Sequence, residues 1–264
     1  MKIFDFHTHP GYDFHNDKLG YEITPEIFVD GLRKSGVTFC AGSVIHKADS
    51  MGFGTPHKLE DYVEITERLN REAYEFYKSY PDFYTPGIHV HPAFVDLSCA
   101  EIEKYSALGV KLVGELVPYL MCWSGYNDDG LFDILAVARD KGMVVNVHLM
   151  KIDTIFDLMA NLPDLKLVVA HLDGYGCYNE QIELMKKYEN VYFDISAHGA
   201  TRKGMLRETI DAVGKDRILL GSDYPGYKAD PFIATVMDDS ITDDEREAVL
   251  YRNAETLLGV KVPD

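Results

Sequence analysis

The sequence predicts a single (β/α)8 barrel, and three observations carry that expectation. Eight short β-rich runs alternate with amphipathic helical stretches along the whole chain. The longer connections follow strands, where a barrel builds its working face. The length of 264 residues suits one such barrel, so residues 1–264 are read as one domain. A doubly wound open sheet is the structural alternative.

The predicted strands are Lys2–His7, Thr38–His46, Phe83–His91, Val110–Leu116, Met143–His148, Leu165–His171, Val191–Ser196 and Arg217–Ser222. The first helix begins at Thr24-Pro25, a capping residue followed by proline at the first helical position, and stops at Ser35-Gly36. Leu59–Ser79 has helical spacing and ends before Pro81. Ser98–Leu108 and Asp129–Lys141 each stop at a glycine. Asp153–Leu162, Cys177–Tyr188 and Thr201–Val213 follow the same plan, and Thr242–Leu258 opens with a capping box. The long connections are Pro10–Glu22, Lys47–Lys58, Val117–Asp128 and Leu172–Gly176.

Composition excludes some functions. With 26 Lys+Arg against 43 Asp+Glu, the net charge is −17. A surface this acidic repels phosphate backbones and anionic lipids, so nucleic-acid and membrane-surface partners are disfavoured. No apolar run is long enough to span a bilayer, and the N-terminus does not read as a signal peptide. The four cysteines are scattered without a C-x-x-C pair, which points to a reducing, cytoplasmic setting. The sequence assigns no oligomeric state.

The chemistry lies at the strand ends. Strand one ends in His7-Thr8-His9, strand four in Gly114-Glu115, strand five in His148, strand six in His171 and strand eight in Asp223. Residues i and i+2 of a strand share a side, so His7 and His9 face the barrel axis together. Two neutral imidazoles so placed can bind a divalent ion at about 2.0–2.1 Å. Glu115, His148, His171 and Asp223 arrive at the same mouth. A set of nitrogen and oxygen donors suits Zn, Mn, Fe or Ni better than a thiolate-bound metal.

These segments carry a resemblance. Ile3-Phe4-Asp5-Phe6-His7-Thr8-His9-Pro10, Val145-Asn146-Val147-His148, Val169-Ala170-His171-Leu172-Asp173-Gly174 and Leu219-Leu220-Gly221-Ser222-Asp223-Tyr224-Pro225 resemble the amidohydrolase superfamily, in its amidohydrolase-related family 2 branch. The tail Tyr251–Gly259 resembles the branch's C-terminal helix. The resemblance implies one or two divalent ions, zinc first. His7, His9 and Asp223 would hold the more buried ion, and His148 and His171 the second. In one-metal relatives His148 completes the site and His171 acts on the substrate. Many two-metal relatives bridge the ions with a carboxylated lysine from strand four. Here Lys111 lies four residues before Glu115, toward the barrel bottom, so Glu115 is taken as the ligand, as in TatD-like relatives.

The resemblance further implies a metal-dependent hydrolase that cleaves an amide, lactone or ester of a small, acidic molecule. Asp223 would carry the proton, and His171, where it is not fully engaged as a ligand, would polarise the carbonyl. The alternatives are a decarboxylase of the same branch and a TatD-like phosphoesterase. Asp173 is a candidate to orient a ring. His46, His89, His91, His198 and Arg202 are the candidate substrate-binding residues, with Lys203 beside Arg202. Tyr12, Phe53, Trp123, Tyr126 and Tyr224 are candidate walls of the pocket.

Overall fold

The structure, a computed structural model, describes residues 1–11, 23–45, 57–199 and 202–263. His46, Tyr12 and Phe53 lie outside the described residues. Eight parallel strands follow one another around the sheet in chain order: β1 (Phe4–Thr8), β2 (Phe39–Gly42), β3 (Tyr84–Ile88), β4 (Leu112–Leu116), β5 (Val144–Val147), β6 (Lys166–Val169), β7 (Val191–Asp194) and β8 (Ile218–Leu219). The first and last strands meet through Phe6 N donating to Leu220 O (2.9 Å) and Asp223 N donating to His7 O (2.8 Å). This is the (β/α)8 barrel, and the open-sheet alternative is set aside.

Helices α1 (Pro25–Lys34), α2 (Asp61–Ser79), α3 (Val95–Ala107), α4 (Asp129–Asp140), α5 (Ile152–Asn161), α6 (Tyr178–Lys187) and α7 (Met205–Val213) connect the strands. Their starts obey the local chemistry. Thr24 caps α1 by accepting from Ile27 N, with Pro25 in the first turn. Asp128 caps α4 through Gly130 N.

Several helical segments differ from the sequence reading, α3 among them, which starts at Val95 and not at Ser98. The helix expected from Thr201 begins at Met205, because Gly204 sits in the left-handed region at φ +83°. An unforeseen helix, α8 (Asp230–Asp238), follows β8 with proline in its first turn. The tail expected as one helix over Thr242–Leu258 is α9 (Asp243–Glu247) and α10 (Asn253–Leu258), joined by a wider π-helical turn at Ala248–Arg252. Its predicted capping box between Thr242 and Glu245 is present.

Two clusters of buried apolar residues hold the barrel. The larger seals strands against helices, with Val113, Val145, Leu167 and Phe193 meeting Phe28, Ile102, Ile134 and Leu158. The smaller joins Phe4, Phe6, Phe39, Leu112, Val144, Val168 and Leu219 from six strands to Leu257, Leu258 and Val262. Only the barrel interior brings six strands together, so the C-terminal segment closes the floor at the strands' N-terminal ends. The β1–β2 register slips between Asp5 and Thr8. That slip lets Phe4 and Phe6 fill the floor while His7 and His9 meet at the mouth.

Candidate metal centre

Six side chains from five strands converge at the C-terminal end of the barrel. His7 Nε2 and His9 Nε2 are 3.0 Å apart. Glu115 Oε2 lies 3.2 Å from the first and 3.4 Å from the second. Asp223 Oδ1 is 3.2 Å from His9 Nε2. On the other side of Glu115, Oε1 lies 2.9 Å from His148 Nδ1 and 3.6 Å from His171 Nε2. Those two nitrogens are 3.1 Å apart. Donors about 2.1 Å from one ion stand about 3.0–3.4 Å from each other; most pairs in each lobe fall close to that spacing, and His7 Nε2 and Asp223 Oδ1 are wider apart at 3.9 Å. His7, His9 and Asp223 form one group able to hold a metal ion, and Glu115, His148 and His171 form another.

The outer hydrogen bonds decide where the lone pairs point. His9 Nδ1 donates to the carbonyl oxygen of Ser43 at 2.9 Å. A carbonyl only accepts, so the proton sits on Nδ1 and the Nε2 lone pair faces the cluster. His171 Nδ1 donates to Ser196 Oγ (2.9 Å) and to Ser196 O (3.2 Å) with the same result. His7 Nδ1 donates to Asp194 Oδ2 at 2.8 Å. His148 Nε2 meets the hydroxyl of Tyr175 at 3.3 Å, which can donate or accept. Imidazole lone pairs aimed at one another at hydrogen-bond distance repel unless a proton or a cation sits between them. The donor set therefore fits a divalent cation.

The electrostatics agree. Burial pushes the His7 imidazole down, but the Glu115 and Asp194 carboxylates outweigh it and hold the group well above its ordinary range. Burial likewise opposes His9, and bonds to Asp223 and Glu115 raise it. Burial pushes Glu115 up, while His7 and His148 hold it well below the usual carboxylate range. Burial takes His171 down to about 4 against the pull of Glu115, so it stays neutral and able to ligate.

Backbone geometry serves the same face. Glu115 follows Gly114, at φ +100°, and a Cβ on Gly114 would stand 2.1 Å from Asn146 O, so only glycine fits there. His171 (φ 68°), Asp173 (φ 67°), Tyr175 (φ 57°) and Asp223 (φ 67°) all adopt the left-handed region. Each costs on the order of 1–2 kcal/mol, a load that gathers at functional sites.

The other candidate residues divide. His89 and His91 are buried, with Nε2 of each bonded to a backbone carbonyl, Val44 O at 2.7 Å and Met121 O at 2.8 Å. His91 Nδ1 also accepts from Ala93 N. These bonds fasten mouth loops. Arg202 is half exposed and pairs with Glu208 at 2.8 Å. Asp173, considered as a ring orienter, instead lies 3.9 Å from Arg202. Lys111 is exposed at the start of its strand. Tyr126 is fully buried, and Tyr224 packs on Phe28 of α1 at 5.1 Å between ring centroids. His198 is exposed at the mouth and meets the Tyr227 hydroxyl at 3.2 Å.

Sequence reasoning missed Asp194, Ser196, Asp5 and the rim tyrosines. Asp5 accepts from Ser222 N (3.0 Å) and Ser222 Oγ (2.5 Å), tying β1 to the residue before Asp223. Burial lifts its carboxyl to about 7 against those bonds. Tyr119 packs edge-on to His148 at 5.4 Å, and Tyr175 and His198 meet at 6.0 Å.

The amidohydrolase profile (Amidohydro_2) matches residues 4–260, nearly the entire barrel. The chain belongs to the amidohydrolase family. This family member resembles solved barrels at low identity. It superposes on 2,6-dihydroxybenzoate decarboxylase from Rhizobium with a TM-score of 0.76 at 15% identity, covering 98% of each chain. The 5-carboxyvanillate decarboxylase of Sphingomonas paucimobilis gives 0.73 at 13% identity over 99% of each chain. That of Novosphingobium aromaticivorans, complexed with manganese and 4-hydroxy-3-methoxy-5-nitrobenzoic acid, gives 0.72 at 12%, covering 98% of this chain and 96% of that chain. At these identities the likeness establishes the fold. Among curated proteins, none matches this sequence. No helix among the described residues is long and apolar enough to cross a membrane.

Proposed function

We propose that the protein is a metal-dependent hydrolase that cleaves an amide, lactone or ester bond in a small, acidic molecule. The observation that carries this reading is the placement of Glu115, one carboxylate oxygen toward each lobe. One carboxylate shared in that way suits two ions side by side, and hydrolysis is the chemistry that two ions and one water serve best. His7, His9 and Asp223 would hold one ion, His148 and His171 the other, with Glu115 between them. Zinc is the first choice, then manganese, iron or nickel.

A divalent cation bound there lowers the pKa of water toward about 7 and polarises the oxygen that gains charge. The protein supplies the rest. Asp223 is 22% exposed, against 3% for Glu115, so it is the carboxylate that reaches the solvent side. Its Oδ atoms take the proton of the attacking water and pass it to the leaving atom. His171 is held in orientation by Ser196, which accepts from its Nδ1. Beside His148 opens a cavity of about 300 Å³ lined by Tyr119, Met150, Lys151, Ile152 and Tyr175. It would seat the substrate's apolar part, with Lys151 near its acid group and His198 at the rim.

The relatives favour a second reading. The neighbours named above are decarboxylases, and one is complexed with manganese. A decarboxylase would use one ion, with His171 free to act on the substrate. The deciding experiment measures metal content per chain and turns the enzyme over on small esters, lactones, amides and aromatic acids in heavy-oxygen water. Two ions and solvent oxygen in the product support hydrolysis. One ion, released CO2 and no solvent oxygen would overturn it in favour of decarboxylation.

A further inference from the structure

Strand β7 contributes none of the six converging donors, yet it touches both lobes from outside. Asp194 is fully buried. Its Oδ2 accepts the Nδ1 proton of His7, in the first lobe, at 2.8 Å. Its Oδ1 accepts from the hydroxyl of Ser196, from Ser196 N (3.0 Å) and from His171 N (3.3 Å). Ser196 Oγ in turn lies 2.9 Å from Nδ1 of His171, in the second lobe. The proton directions are forced. The hydroxyl hydrogen goes to the carboxylate, so Ser196 Oγ accepts from His171. The rings of His7 and His171 stack 5.4 Å apart. The outer nitrogens of one imidazole from each lobe therefore end on one carboxylate, through a hydroxyl for His171 and directly for His7, whose Nδ1 also lies 3.1 Å from Ser196 Oγ.

We infer that Asp194 and Ser196 form one positioning pair shared by both lobes, so that this carboxylate sets the orientation and basicity of a ligand in each. The inference rests on the reading of the cluster as a two-ion centre. Glu115 joins the lobes from within, and Asp194 joins them from behind. An outer carboxylate that orients a ligating imidazole is worth roughly 10–100-fold in metal affinity. At Asp194 that effect falls on two sites at once. Gly221 permits the close packing, since a Cβ there would stand 2.8 Å from His7 Cβ and 3.2 Å from Asp194.

The test uses the full chain, stripped of metal and titrated with Zn²⁺ against a chromophoric chelator. The unsubstituted protein takes two ions. In Asp194→Asn both stepwise affinities fall, each by about 10–100-fold. The visible bands of the Co²⁺-loaded protein change for both ions, a signature that a general loss of stability does not produce. In Ser196→Ala the step of the His171 lobe weakens more than the other, because His7 keeps its direct bond to Asp194. A loss confined to one step in Asp194→Asn, or none, overturns the sharing. So does a single ion in the unsubstituted protein, which leaves the metal-centre reading standing. No Zn²⁺ binding by the unsubstituted protein removes both. Circular dichroism monitors folding. If Asp194→Asn does not fold, Ser196→Ala decides, and unchanged affinity at both steps overturns the inference.

Discussion

The carboxylate of Glu115 stands 2.9 Å from Nδ1 of His148 and turns its other oxygen to the opposite lobe. Burial alone would neutralise this acid, and the surrounding imidazoles keep it ionised instead. Glu115→Gln keeps the shape and removes the charge that faces both cations. Metal analysis after dialysis should show both lobes depleted, by more than the roughly 10–100-fold typical of an outer partner. Full loading by two ions in that variant would remove Glu115 from the centre.

Asp223 differs from Glu115 in reaching solvent, and its N–H is tied to His7 O at 2.8 Å. Asp223→Asn should leave the barrel folded, because the two apolar clusters do not include it. Turnover should fall by about 10²–10⁴-fold, the usual worth of a positioned proton carrier. Initial rates together with a thermal melt check this. A folded variant with native kcat would take the proton-carrying role away from Asp223.

The strand-end pattern was legible because a barrel turns sequence position into spatial position. His7 and Glu115 are the next-to-last residues of their strands, while His9, His148, His171 and Asp223 follow within a few residues of a strand's end, and parallel strands of one barrel end on one face. The i, i+2 rule that marked His7 and His9 also applies to Asp194 and Ser196 at the end of β7, and there it went unused. Their importance comes from which ring nitrogen they accept from, and periodicity does not encode that. His91 shows the converse. It follows the end of a strand as His148 does, yet its nitrogens are taken by Met121 O and Ala93 N, partners supplied by loop geometry. The π-helical turn at Ala248–Arg252 is a matter of packing, since the residues read as ordinary helix.

Metal loading should depend on pH in a definite direction. Burial lowers His7, and Glu115 and Asp194 more than reverse it, so the cation-free cluster carries a proton at neutral pH. A cation must displace that proton. Apparent affinity therefore rises with pH below the raised value, by about tenfold per unit for each proton released. His171, held near 4, contributes no proton above about pH 5. Calorimetric Zn²⁺ titrations in buffers of different ionisation enthalpy count the protons. Affinity independent of pH between 6 and 7, a window taken as roughly that of ordinary histidine titration, would contradict the raised His7.

Tyr126 links the two strand ends that carry the Glu115–His148 contact. Its buried hydroxyl lies 2.9 Å from Leu116 O and 2.8 Å from His148 O, the carbonyls just beyond Glu115 and at the ligand itself. Tyr126→Phe leaves the ring in place and removes the single hydroxyl proton that the two carbonyls share. Leu116 O still accepts from His148 N at 3.0 Å, so the ladder persists and the loss is local. The expected cost is about 1–3 kcal/mol. In a chain of this size that lowers the melting temperature by roughly 2–4 °C for each kcal/mol. The loss should grow in the metal-loaded protein, because displacing the His148 backbone moves a ligand as well as a carbonyl. Melts of the cation-free and Zn²⁺-loaded forms, run side by side, separate the two contributions. An equal shift in both forms would confine Tyr126 to the fold.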